Sequence, residues 1–409
     1  MTRYLIIGGG VAGGRACQGI RKVDTKGSVM LVAGERHIPY QRPPLSKGYL
    51  TGKQGLDRVY IKDDAFYTEN HIEVIQGIRA TQVDRVAHTV VLEDRRVLHY
   101  DKLLLATGGY AWRLTIPGGD LPGVFTLRTI DDCHAIRQAA QSGGQALVLG
   151  GSFIGAEVAA SLSQLGLKVT MAFPDSRLLQ LVAPEALSAH LHTQYQGHGV
   201  QILTGTKPVS MGGQAKVEHV ELDNGQTLHV GLVVMGVGVR LHTELARDAG
   251  LELGDRGAIL VDEFLRTSDP DVYAAGDIAA WPDPTFGKRL RVEHWDVAWR
   301  QGLRVGYNMA GQAKPYTTLP YFFSDLFDLS FEAWGDLTAW DQIVQRGAVE
   351  SGSFAFFYFA QRRMVGVLTV NRPEGERAAM EPLVKACPAY DRAATQLGDE
   401  GADLAALVG

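Results

Sequence analysis

One glycine pattern is written twice in this chain. Gly8-x-Gly10-x-x-Gly13 recurs as Gly150-x-Ser152-x-x-Gly155, about 140 residues later. A first apolar run, RYLII at 3–7, precedes a glycine turn at 8–14 and a helix predicted over 16–22; SVMLV at 28–32 closes at Gly34 and Glu35. The second copy runs from ALVL at 146–149 through a turn at 150–155 and a helix predicted over 157–165 to KVTMA at 168–172, with Asp175 beyond. Each copy reads as a βαβ unit, so the chain is α/β. Between strand and helix, the first Gly makes a tight turn, the second lets a pyrophosphate approach the backbone, and the third lets helix and strand pack closely. The phosphates then rest on the helix N-terminus, where free N–H groups and the helix dipole favour negative charge. Glu35 follows Gly13 by 22 residues, placed to accept hydrogen bonds from ribose hydroxyls. In the second loop Ser152 replaces the middle Gly, and its small side chain still lets a pyrophosphate come near. Asp175 is set for a second ribose and disfavours a 2′-phosphate, which points to NADH; Arg177 leaves NADPH open. Two dinucleotides in one chain imply exchange of electrons between them, and a nicotinamide donor with a tightly held flavin is the economical pair.

The remaining sequence narrows the class. Gly is 48 of 409 residues, against a usual ~7%. Thirteen glycines of this surplus fall in the two loops and at strand ends such as Gly108, Gly109, Gly236, Gly238 and Gly276. The three cysteines, Cys17, Cys133 and Cys387, are far apart, which excludes a disulfide-stapled domain, a cysteine zinc site and a Cys-x(n)-Cys redox motif, and points to a reducing cytoplasm. A net charge of −5 marks no nucleic-acid binder. No run reaches the ~18 apolar residues of a membrane helix, and the glycine-broken N-terminus reads as a buried strand rather than a signal peptide. His190 and His192, two apart, share no helical face, so no metal site is expected. A meander is expected over 79–106, strands at 233–238 and 272–277, a helix at 294–310, and alternating strands at 343–370 beyond an aromatic cluster.

The segments GGGVAG at 8–13, RPPLSKGYL at 42–50, YDKLLLATGG at 100–109, GGSFIGAEVA at 150–159, TSDPDVYAAGDIA at 267–279 and VEHWDVAWRQG at 292–302 together carry a resemblance over nearly the whole chain. It resembles the FAD-dependent pyridine nucleotide oxidoreductases of the ferredoxin reductase type, and is also similar to monodehydroascorbate reductase and apoptosis-inducing factor. The resemblance implies a glutathione-reductase-like architecture: two Rossmann-like dinucleotide-binding domains plus a smaller C-terminal α+β domain. The expected division is an FAD domain at 1–110 and 236–312, an NAD(P) domain at 111–235 and a C-terminal domain at 313–409. Carried over by position, FAD is expected on Gly8, Gly10, Ala12, Gly13, Glu35, Arg42, Lys47, the backbone of Ala80, Arg128, Asp277 and Trp295. NADH, or NADPH, is expected on Gly150, Ser152, Ile154, Gly155, Glu157, Asp175, Arg177 and Gly238. Asp277 would accept from ribityl hydroxyls, and the Arg42 fork suits phosphate or ribose. Lys47 would stabilise anionic reduced flavin, and Glu157, in the first turn of its helix, would lie near the nicotinamide and pair with Lys47. These two are the expected catalytic residues.

Disulfide-reducing relatives carry two redox cysteines after the first helix, where this chain has RPPLSK. Electrons would therefore leave directly from FAD, singly, to an external acceptor: a small iron–sulfur carrier, ferredoxin or rubredoxin. Lys288, Arg289, Arg291, Arg300 and Arg304 are expected to form a basic docking patch for such acidic carriers. The monodehydroascorbate reading is weakened at Trp299 and Phe323, where that branch has its substrate Arg and Tyr. A quinone or oxygen as acceptor, or an NADH-sensing flavoprotein without turnover, are the other readings, and the chain is expected to be a monomer or homodimer.

Overall fold

The structure is a computed structural model and describes residues 1–408. The chain divides into two compact units: Met1–Arg42 with Gly55–Tyr110 and Arg240–Pro320, and Pro43–Gln54 with Ala111–Val239 and Tyr321–Gly409.

The first unit is built on a parallel sheet in the order Val272–Ala274, Lys102–Leu105, Arg3–Ile7, Ser28–Ala33, Ile72–Gln76. Its inner strands are continuous apolar runs with both faces covered, as a parallel sheet requires; Ile6, Leu31 and Leu104 are fully buried. The meander is present as antiparallel strands Ala80–Asp84, Thr89–Leu92 and Val97–His99. Helix Val11–Arg21 packs on helix Trp295–Met309 at near-backbone distance. A Cβ on Gly302 would lie 2.4 Å from the Ala12 carbonyl oxygen, and one on Gly306 would lie 2.3 Å from that of Ala16.

The second unit repeats the plan, with parallel strands in the order Gln201–Leu203, Lys168–Ala172, Gln145–Leu149, Leu232–Met235, Val124–Thr126. It adds a five-stranded antiparallel sheet in the order Tyr321–Leu326, Leu329–Gly335, Arg363–Val370, Phe354–Ala360, Gln342–Arg346. The aromatic cluster thus forms strands of this sheet and begins it at 321, ahead of the run expected from 343. A buried Arg346 ties the C-terminal end down, donating to Glu376 at 3.0 Å and to the carbonyls of Glu400 and Ala402, both at 3.1 Å.

Three sequence expectations shift. The fingerprint helices start at Val11 and Phe153, not at 16 and 157, so Gly13, Gly14 and Gly155 lie inside the first turn. Their low helix propensity is overridden by packing: a Cβ on Gly13 would sit 2.0 Å from the Gly8 carbonyl oxygen, and one on Gly155 2.2 Å from that of Gly150. Glu157 consequently falls in the second turn. The strands expected to 238 and 277 end at Met235 and Ala274, the latter because the chain turns at Gly276, φ +82°.

Candidate active site

The two glycine loops share one geometry. Gly8 and Gly150 both take φ +129°, a conformation that excludes L side chains. The Gly8 N–H donates to the Val32 carbonyl at 2.9 Å, and that of Gly150 to Ala172 at 3.1 Å. This register makes Glu35 and Asp175 equivalent, each three residues past the accepting carbonyl. Gly10, by contrast, has an ordinary extended backbone (φ −81°, ψ −172°), and a Cβ there would meet nothing within 4 Å. Neither folding nor packing demands glycine at this position; the open space fits a ligand approaching the backbone. Ser152 holds the same position with φ −85° and ψ 176°, yet its hydroxyl does not cap the helix and lies 3.5 Å from the Gly236 carbonyl. Neither fingerprint helix has a side-chain cap or an acid in its first turn. Helix Ile130–Ala140, by comparison, starts with a full capping box from Thr129 and Asp132. The leading N–H groups and positive dipole ends of both fingerprint helices are thereby left for an anion. The residues present fit a pyrophosphate in each loop.

Around the first loop, Arg42 Nη2 donates to Glu35 at 2.8 Å, Tyr40 donates its hydroxyl to the other Glu35 oxygen, and Arg42 Nη1 donates to Tyr40 at 3.0 Å. Burial opposes the Arg42 charge, but Tyr40, Glu35 and Asp277 outweigh it and raise its pKa above the ordinary value. Ala12 is buried within the first helix, and Ala80 opens the meander half-buried. Asp277 follows the turn at Gly276, whose N–H donates at 2.9 Å to the fully buried Gln301. Trp295 opens the last helix of the unit, its ring 4.9 Å from Trp299, over which Arg15 lies at 4.0 Å. His294 precedes that helix, its pKa pushed down to about 4 by burial, with Asp277 acting the other way.

In the second unit, Ile154 is unusually exposed for an isoleucine, Asp175 is exposed, and Gly238 takes φ +119° with open space at its Cβ. Arg177 keeps a buried Nε without a hydrogen-bond partner and lines a cleft of about 500 Å³ with Ser176, His192 and Thr193. Arg128 is half-buried, its N–H donating to Asp132 at 2.9 Å. A polar cluster gathers on the buried Glu157. Lys47 Nζ donates to Glu157 Oε1 at 2.6 Å, Ser324 donates to the same oxygen at 2.6 Å, and Ser46 donates to Oε2. Lys47 also lies 5.9 Å from the Phe323 ring. The Lys47–Glu157 pairing expected from the sequence is thus made. Ser46, Ser324 and Gln301 were missed: single hydroxyls and an amide carry no signal until their distant partners are known.

The chain belongs to the pyridine nucleotide-disulphide oxidoreductase family. The family profile of that description matches residues 2–302, and a reductase C-terminal profile matches 321–408. A rhodocoxin reductase of Rhodococcus erythropolis is 34% identical over 94% of this chain and 90% of its own length. A putidaredoxin reductase of Pseudomonas putida is 31% identical over 99% and 96%. Among solved structures, the ferredoxin reductase for the CYP199A2 system of Rhodopseudomonas palustris superposes with TM-score 0.94 at 32% identity over the full length of both chains. Despite the family name, Cys17, Cys133 and Cys387 are all free thiols. Burial pushes the Cys17 and Cys133 thiols up to about 12, far from the reactive thiolate range. No group of histidines, cysteines and acids among the described residues could hold a metal ion, and none of their helices is long and apolar enough to cross a membrane. The expected basic patch is partly consumed internally. Arg291 pairs with Glu293 at 2.5 Å, Arg300 with Asp296 at 2.6 Å, and Arg289 donates to the carbonyls of Val261 and Ala280.

Proposed function

We propose that this chain is an FAD-containing reductase that takes electrons from NADH and delivers them singly to a small iron–sulfur carrier, a ferredoxin or rubredoxin of an oxygenase system. The observation that carries this reading is the phosphate-binding geometry repeated in each unit, with ligand room at Gly10 that the fold itself does not need. Support for the acceptor comes from relatives whose names are those of rhodocoxin, putidaredoxin and rubredoxin-NAD(+) reductases. The three-domain division expected from the sequence is proposed too, supported by a separate sheet in each part.

When bound, FAD supplies the conversion between a two-electron donor and a one-electron acceptor. The chain's own residues bind and orient. In the first loop, the backbone of Gly8–Gly13 takes the pyrophosphate, Glu35 and Arg42 take the adenosine ribose and phosphate, and Asp277 and Trp295 take the ribityl and ring end, with Ala80 and Arg128 as further contacts. In the second, Gly150–Gly155 takes the NADH pyrophosphate, Ile154 and Gly238 flank it, and Asp175 takes its ribose; a carboxylate repels the extra phosphate of NADPH, which Arg177 would attract. Lys47 would supply positive charge beside the flavin. Glu157, anchored by Lys47, orients the nicotinamide carboxamide. Three free cysteines are consistent with the reducing cytoplasm proposed as its compartment.

Acceptor identity is tested by steady-state NADH oxidation with the flavin-loaded protein. Turnover with ferredoxin or rubredoxin is expected to exceed that with quinone, oxygen or monodehydroascorbate at least tenfold in kcat/KM, a difference of ~1.4 kcal/mol. Equal or higher kcat/KM with a small molecule contradicts the carrier assignment.

A further inference from the structure

The donors around Glu157 are more numerous than an ion pair requires. A carboxylate offers about four acceptor positions, two on each oxygen. Oε1 receives Lys47 Nζ and the Ser324 hydroxyl, both at 2.6 Å, and Oε2 receives the Ser46 hydroxyl. Ser46 has a single proton, and its alternative acceptor, the Pro43 carbonyl, is farther away at 3.3 Å. Both serines are buried, Ser324 completely. The arrangement is locked again one turn along the helix: the Ser161 hydroxyl donates to the Ser46 carbonyl at 2.6 Å. Phe153, Glu157 and Ser161 share one face of helix Phe153–Gln164, and Phe153 anchors that face against Phe322, ring centres 4.6 Å apart. Three of the four positions are filled from inside, so the carboxylate cannot rotate without breaking three bonds, and one acceptor position remains, on Oε2.

We propose that Ser46 and Ser324 are positioning residues: they fix the Glu157 carboxylate so that a single open acceptor position on Oε2 takes one N–H of the carboxamide of the bound dinucleotide. This rests on the nicotinamide reading given above and adds to it the groups that aim the carboxylate. Their loss would let the carboxylate swing about its bond to Lys47, weakening the nicotinamide end of the dinucleotide and not its adenosine end. The natural probes are tetrahydro-NAD, which keeps the carboxamide but transfers no electrons, and ADP-ribose, which lacks the nicotinamide altogether.

The experiment is calorimetric titration of the flavin-loaded wild type, Ser324→Ala and Ser46→Ala with both compounds, alongside melting midpoints and NADH KM and kcat. Each substitution is expected to reduce the preference for tetrahydro-NAD over ADP-ribose by about tenfold or more, the scale of one hydrogen bond to a charged group. ADP-ribose affinity should be unchanged, and kcat should fall more than KM rises. An unchanged preference, or equal weakening of both compounds, overturns the positioning role. If Ser324→Ala does not fold, Ser46→Ala reads the same carboxylate from its other oxygen. A wild type that binds neither compound overturns the dinucleotide reading itself, and one that binds both equally overturns the carboxamide contact.

Discussion

At the scale of single residues, charge inside a glycine-rich motif is legible and uncharged support is not. Glu35 stands out in the sequence as an acid closing the strand after a phosphate loop, whereas Arg42, Lys47 and Glu157 are legible through the family resemblance of the segments that carry them. Ser46 and Ser324 meet Glu157 across sequence separations of 111 and 167 residues, and nothing local marks them. His294 is a third kind of case, a residue whose consequence is a pH dependence. Burial holds its imidazole down to about 4 in the folded chain, while the unfolded value is near 6.5. Between these values the unfolded chain binds a proton that the folded chain refuses. Stability is therefore full above about pH 6.5 and is lost as pH falls towards 4. The whole gap is worth on the order of 3 kcal/mol. Urea unfolding across this range should show His294→Gln with a visibly shallower loss than wild type; identical slopes would assign the acid sensitivity to carboxylates instead.

At the scale of elements, strands read well and helix starts do not. RYLII, SVMLV and KVTMA are apolar runs that only a buried parallel strand accommodates, and each is found within a residue of its expected bounds. The helices begin several residues early because tertiary contact forces glycine into their first turns, against local propensity. Arg289, Arg291 and Arg300 of the expected basic patch are bonded internally for a related reason: sequence shows charges but not the carbonyls and acids that occupy them. The glycines also separate by purpose, and two substitutions distinguish them. Gly306→Ala puts a methyl 2.3 Å from the Ala16 carbonyl oxygen and 2.9 Å from Gly19 Cα, so two helices must part. Overpacking costs ~1–3 kcal/mol, of which helix propensity returns ~1, and a net loss of up to about 2 kcal/mol is expected in chemical denaturation. Gly10→Ala meets nothing within 4 Å, so unfolding of the flavin-free protein should be unchanged, while FAD retention falls roughly tenfold or more. Loss of stability with intact FAD binding in Gly10→Ala would mean the space at this position serves the fold.

At the scale of the whole molecule, the duplicated fingerprint announced two parallel sheets, and the family match covers both. Sequence order hides how the pieces group. The short segment Pro43–Gln54 clusters with residues 111–239 rather than with its chain neighbours, because Ser46 and Lys47 bond to Glu157 and the Cys133 thiol lies 3.3 Å from the Leu45 carbonyl. The C-terminal sheet was expected to begin at 343 and begins at Tyr321, since the clustered aromatic residues of Tyr321–Leu326 and Leu329–Gly335 lack the alternation that marks a half-buried strand. What the chain lacks matters as much: no cysteine accompanies RPPLSK, so the flavin has no dithiol to share electrons with. The most direct test is an anaerobic titration of the flavin-loaded protein with NADH, followed by oxidised ferredoxin. One equivalent of NADH per flavin should complete the reduction, treatment with a thiol alkylator should change nothing, and the electrons should reappear in two equivalents of reduced carrier. Uptake of a second NADH equivalent, or failure of the reduced protein to pass electrons to any one-electron carrier, would contradict the account.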